Sequence, residues 1–154
     1  MGVLNSFGNN PSQQSEDRLS SLCENLEGAA QGQALLAFAD YNSTLADMRG
    51  RSGGNADKLP PQFTAEQKQY LIQERDGQDA ASLEKMMEKF IAANGKQPGV
   101  VRVASQVASK LFVMQNLSVG KEAPEIAAAD LDGVEFKLSD YRGKIVFLDF
   151  WGDW

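Results

Sequence analysis

Residues 119–154 open with Val119-Gly120-Lys121-Glu122-Ala123-Pro124-Glu125-Ile126 and run to Leu148-Asp149-Phe150-Trp151-Gly152-Asp153-Trp154, and their reading decides the fold. Two short strands are expected at 125–131 and 134–138, parted by the turn pair Asp132-Gly133. A polar segment follows, Ser139-Asp140-Tyr141-Arg142-Gly143-Lys144. Then Ile145-Val146-Phe147-Leu148-Asp149-Phe150-Trp151 forms an apolar run broken by one acid. A strand covered on both faces gives this pattern, and so does a buried helix. The run is short, rich in β-branched and aromatic residues, and bounded by Gly143 and Gly152, so a central strand is expected.

Four blocks then stand in order: Gly120-Lys121-Glu122-Ala123-Pro124-Glu125, Asp130-Leu131-Asp132-Gly133, Leu138-Ser139-Asp140-Tyr141-Arg142-Gly143-Lys144 and Leu148-Asp149-Phe150-Trp151-Gly152-Asp153-Trp154. Together they resemble the opening of a redoxin domain, most of all the TlpA-like thiol–disulfide oxidoreductases of the thioredoxin superfamily. In that family the second Trp is followed by Cys-x-x-Cys, the redox centre. The resemblance implies a chain cut short just before that motif, and inactive by itself. It implies disulfide exchange with a protein or small-molecule disulfide, and neither a metal nor an organic cofactor. A thiol peroxidase of the same superfamily is the near alternative, though Trp-Gly-Asp-Trp favours the thioredoxin version.

Asp149 is the most informative acid. Strand alternation sets it opposite Leu148 and Phe150, and desolvation among apolar neighbours would raise its pKa. In relatives with the Asp-Phe-Trp pattern the matching acid lies beneath the cysteine pair. The resemblance therefore makes Asp149 the proton acceptor for the resolving thiol in the full-length protein. A solvated acid at a strand end is the structural alternative. Trp151 and Trp154 match the aromatic positions flanking the active-site loop, with plain packing as the competing reading. Pro124 and Gly143 belong to the scaffold: the first holds its predecessor extended, the second supplies a positive φ.

Upstream the pattern is helical. Residues 1–14 are polar and expected to be disordered. Ser15, followed by Glu16 and Asp17, is a fair N-cap, and Leu19, Leu22, Cys23 and Leu26 then recur at helical spacing. Ala34, Phe38, Tyr41, Leu45 and Met48 mark a second helix that leaves through Gly50. Residues 49–62, with Gly-Gly and Pro-Pro, read as a mobile loop. Thr64-x-x-Gln67 is a capping box for a helix to about Arg75, ended by Asp76-Gly77. Asp79 is expected to cap the next helix, with Leu83, Met86, Met87, Phe90 and Ile91 on its buried stripe and Asn94-Gly95 as its stop. Pro98 opens the last, whose buried face is Val100, Val103, Ala104, Val107, Ala108, Leu111 and Met114. The expected class is α+β: an all-α helical-hairpin domain over 15–118, then the incomplete start of a thioredoxin-like α/β fold over 119–154.

Composition removes several functions. The 154 residues are 42% hydrophobic with a net charge of −6, which argues against a nucleic-acid or anionic-membrane surface. Absence of histidine excludes a Ser-His-Asp or Cys-His centre within the chain. The single cysteine, Cys23, lies on an apolar stripe beside Glu24 and Glu27, and reads as a small core hydrophobe. No apolar stretch reaches the roughly 20 residues of a membrane span, and no signal peptide opens the chain. Cytoplasmic is the default compartment, with an extracytoplasmic site implied by the family if the N-terminus is incomplete. Met1-Gly2 with Ser6 fits a short myristoylation pattern that carries little weight. The competing functional class is a non-enzymatic helical interaction module with a vestigial redoxin tail. Exposed apolar positions left after the helices pack would support it.

Overall fold

Ser12 caps the first helix. Its hydroxyl accepts from the Ser15 backbone N–H at 3.2 Å, and α1 runs over Gln13–Asn25. The cap is thus Ser12 and not Ser15, because Ser15 is itself buried and uses its hydroxyl to donate to the Asn10 carbonyl at 2.7 Å. Gln13 and Gln14, expected to be disordered, form the first turn. The computed structural model describes residues 10–73, 78–118, 120–149 and 152. It divides into two compact units, Met1–Met114 and Gln115–Trp154.

In the first unit α2 spans Gly28–Ser52, longer at both ends than its apolar stripe suggested. Packing overrides the helix-breaking tendency of glycine here. A Cβ on Gly32 would lie 2.8 Å from the Phe90 ring tip and 2.8 Å from a Val103 methyl. Glycine is what lets those side chains reach the α2 backbone. The helix ends where Gly53 takes φ 58° and donates its N–H to the Arg49 carbonyl at 3.0 Å. The expected loop therefore begins after Ser52, carries a short 3-10 turn at Ala56–Lys58, and is pinned to the core by Leu59, 4% exposed.

Thr64 and Gln67 form the reciprocal capping box that opens α3, Ala65–Ile72. The helix stops at Ile72 with Gln73 extended, short of the expected end near Arg75, while Arg75 and Asp76-Gly77 lie outside the described residues. The next helix, α4, covers Gln78–Asn94, so Asp79 sits in its first turn and not at its cap. Leu83, Met87 and Phe90 are buried, with Met86 and Ile91 partly so. The last helix, α5, covers Val101–Asn116 and buries Val103, Ala104, Val107 and Leu111. These side chains join Leu19, Cys23, Leu35, Phe38, Tyr41, Leu45 and Leu71 in one core. Helix α2 is its spine, packing against α1, α3 and α4.

The second unit is built on a hairpin. Strands β1, Ala127–Ala129, and β2, Glu135–Lys137, pair antiparallel with Ala128 opposite Phe136. Both are shorter than the sequence suggested, and every residue in them is exposed. The apolar run at 145–149 forms no strand. Ile145 and Phe147 are 104% and 91% exposed, and no ladder partner pairs with the run among the described residues. A central strand needs neighbours on both edges and cover on both faces. Without them the run keeps its β-prone composition and loses its ladder, which corrects the expectation of a central strand here.

Candidate functional site

The hairpin turn is held by one side chain. Asp130 accepts from the N–H groups of Asp132 and Val134 through the same carboxylate oxygen, both at 2.9 Å. Gly133 donates to the Asp130 carbonyl at 3.0 Å and takes φ 80°, which a side chain would resist. Asp-Gly was therefore a sound turn signal, and Asp130 added the lock.

Beyond β2 the chain makes a 3-10 turn, Leu138–Tyr141. Asp140 caps it by accepting from the Lys137 N–H at 2.9 Å. Glu125 reaches across to accept from the Ser139 N–H at 3.0 Å, and hydrogen bonding by Ser139 holds its carboxyl below the usual range. Arg142 pairs with Glu122 at 2.6 Å in the open, and the Lys144 ammonium lies 5.6 Å from the Tyr141 ring centre. These contacts hold the chain's path from 122 to 144. They account for the motif residues Asp130, Asp140 and Arg142 as scaffold, with no reacting group among them.

Asp149, the candidate proton acceptor, is exposed in the irregular segment after this turn. The apolar residues before it, Ile145 to Leu148, are exposed as well. Trp151 and Trp154 lie outside the described residues. The structure thus brings the scaffold blocks together and leaves Asp149 exposed. A shallow depression of about 410 Å³ lies on the hairpin, lined by Ala127, Ala129, Phe136, Lys137 and Asp140. It contains no thiol or hydroxyl, and of its two acids, Glu135 and Asp140, the second is already engaged as a cap.

Cys23 sits in the other unit, 1% exposed, where burial and then the charge of Glu24 push its thiol up to about 12. A thiol so protonated is a poor nucleophile, as expected of a core residue. Among the described residues no group of His, Cys, Asp or Glu is placed to hold a metal ion. Likewise, no helix is long and apolar enough to cross a membrane.

The sequence reading missed a buried polar chain in the first unit. Tyr70 donates to the Glu16 carboxylate at 2.6 Å, Tyr41 to the Tyr70 oxygen at 3.3 Å, and the Ser12 N–H to the Tyr41 oxygen at 3.1 Å. The Ser12 carbonyl, 3.1 Å from the Tyr41 oxygen, competes for the same Tyr41 proton. Glu16, expected only as an acid beside the helix cap, is 5% exposed. Its place three and seven residues before Leu19 and Cys23 was the signal, since that spacing sets it on their buried face.

No family model and no solved structure matches the chain. Over 38 residues the chain is 55% identical to the thiol-disulfide oxidoreductase ResA of Geobacillus thermodenitrificans, covering 25% of this chain and 22% of that protein. Against the protein of the same name from Geobacillus kaustophilus the identity is 58% over 38 residues, with 25% and 22% covered. Against that of Bacillus subtilis it is 45% over 40 residues, with 26% and 22% covered. About a quarter of the chain thus resembles thiol-disulfide oxidoreductases, which supports the likeness to thioredoxin-like redoxins. The chain spans less than a quarter of the length of the curated relatives it matches.

Proposed function

We propose that the chain carries a helical domain followed by the opening of a TlpA-like redoxin domain, and that the complete protein is a thiol–disulfide oxidoreductase. The observation that carries this is the 45% to 58% identity, over 38 to 40 residues, to proteins named for that activity. The hairpin locked by Asp130 and the Asp140-capped turn support it, since they give the motif blocks a defined scaffold. The name of those relatives favours disulfide exchange over peroxide reduction.

The chemistry of the complete protein follows from a Cys-x-x-Cys pair. One thiolate attacks a substrate disulfide, its S–S bond breaks, and one substrate sulfur leaves as thiolate. The second thiol gives up its proton, and the resulting thiolate attacks the mixed disulfide and releases the other substrate sulfur. The pair is oxidised by two electrons and the substrate reduced by two. On this reading Asp149 takes the proton of the second thiol once the fold around it is complete, while Trp151 and Trp154 border the attacking sulfur. None of this chemistry lies within the 154 residues, whose one thiol is buried.

The test is the coding sequence past the Trp154 codon, read with the intact mass of the native product. A product that continues with Cys-x-x-Cys and reduces insulin disulfides supports the reading. In that product Asp149→Asn should slow turnover on the order of 10²-fold, with the loss deepening at low pH. A native product without a cysteine pair overturns it. The 154-residue polypeptide alone should show no disulfide reduction in the same assay.

One observation favours the second reading, a helical interaction module. On α5, Val101, Phe112 and Val113 stay 46%, 50% and 44% exposed. Apolar positions on one helix are the kind a partner protein covers. If they serve that purpose, Val113→Glu abolishes binding to a partner without changing the helical circular dichroism of the chain.

A further inference from the structure

No further inference is drawn: the strongest candidate, the exposed apolar run at 145–148 that follows the hairpin of the second unit, carries nothing because nothing in the structure shows what covers it.

Discussion

The Tyr70 phenol donates to the Glu16 carboxylate at 2.6 Å with both residues buried, joining α3 to the first turn of α1. The length is that of a charge-assisted bond, stronger than a neutral one. Removing the hydroxyl takes a donor from a buried acid and also takes the acceptor from Tyr41. We expect Tyr70→Phe to destabilise the protein by about 1.5–3 kcal/mol, the range for hydrogen bonds to charged groups. Urea unfolding followed by helical circular dichroism would read this as a lower midpoint at unchanged slope. An unchanged midpoint would mean that the bond contributes nothing net.

Alkaline conditions should weaken the fold through two groups. Burial, then the hydrogen bonds with Glu16 and Tyr41, push the Tyr70 phenol up, and the Cys23 thiol is pushed up to about 12. Each therefore holds its proton more firmly folded than unfolded. Their contribution is intact below the unfolded values, about 8.5 for Cys and about 10 for Tyr, and is lost as pH climbs towards the folded ones. Stability measured from pH 7 to 11 should fall from about pH 9 upward. Cys23→Ala should flatten the early part of that fall and Tyr70→Phe the later part, whatever each costs at pH 7. At pH 8 the native thiol should react with a disulfide reagent only at the rate at which the helices open.

Glycine in α2 should behave in two opposite ways. At Gly32 an added methyl meets Phe90 and Val103 at 2.8 Å, inside the core. Overpacking of that kind costs about 1–3 kcal/mol, against a helix-propensity gain of up to about 1 kcal/mol for Ala over Gly. The clash wins, so Gly32→Ala should destabilise. At Gly50 nothing lies within 4 Å of the added Cβ, and its φ is not positive. Propensity acts alone there, and Gly50→Ala should raise stability by about 0.5–1 kcal/mol. Thermal melts of the two variants should shift in opposite directions.

These glycines also show what could be read from the chain. The apolar stripes of α4 and α5 were legible because helical period and burial agree, from Leu83 to Phe90 and from Val103 to Leu111. The Thr64 box and the Asp132-Gly133 turn were legible because their chemistry is local. What escaped depends on distant partners. Nothing local marks Gly32 as the place where Phe90 and Val103 come against the α2 backbone. Glu16 read as an acid at a helix start, and its burial depends on Tyr70, far along the chain, which donates to it. In the second unit the motif blocks were readable as sequence, but a central strand is a property of its neighbours. The 145–149 run carries the composition of one without the ladder, and Asp149 shares its exposure.

That run sets the behaviour of the 154-residue polypeptide in solution. Ile145 and Phe147 are 104% and 91% exposed, with Val146 and Leu148 at 42% and 48%, next to a hairpin whose residues are all exposed. An exposed, apolar, β-branched segment that joins no ladder among the described residues is a template for strand pairing between copies. Backbone amides at 145–149 should exchange with solvent far faster than those of α2 and α4, whose N–H groups lie in helices around the core. Light scattering should rise with protein concentration, and Phe147→Lys should suppress the rise while leaving the helical signal and the urea midpoint unchanged. The charge blocks pairing without touching the first unit's core. Amides at 145–149 protected as well as helix amides, in a chain that stays monomeric, would show the run to be covered and would refute this account of it.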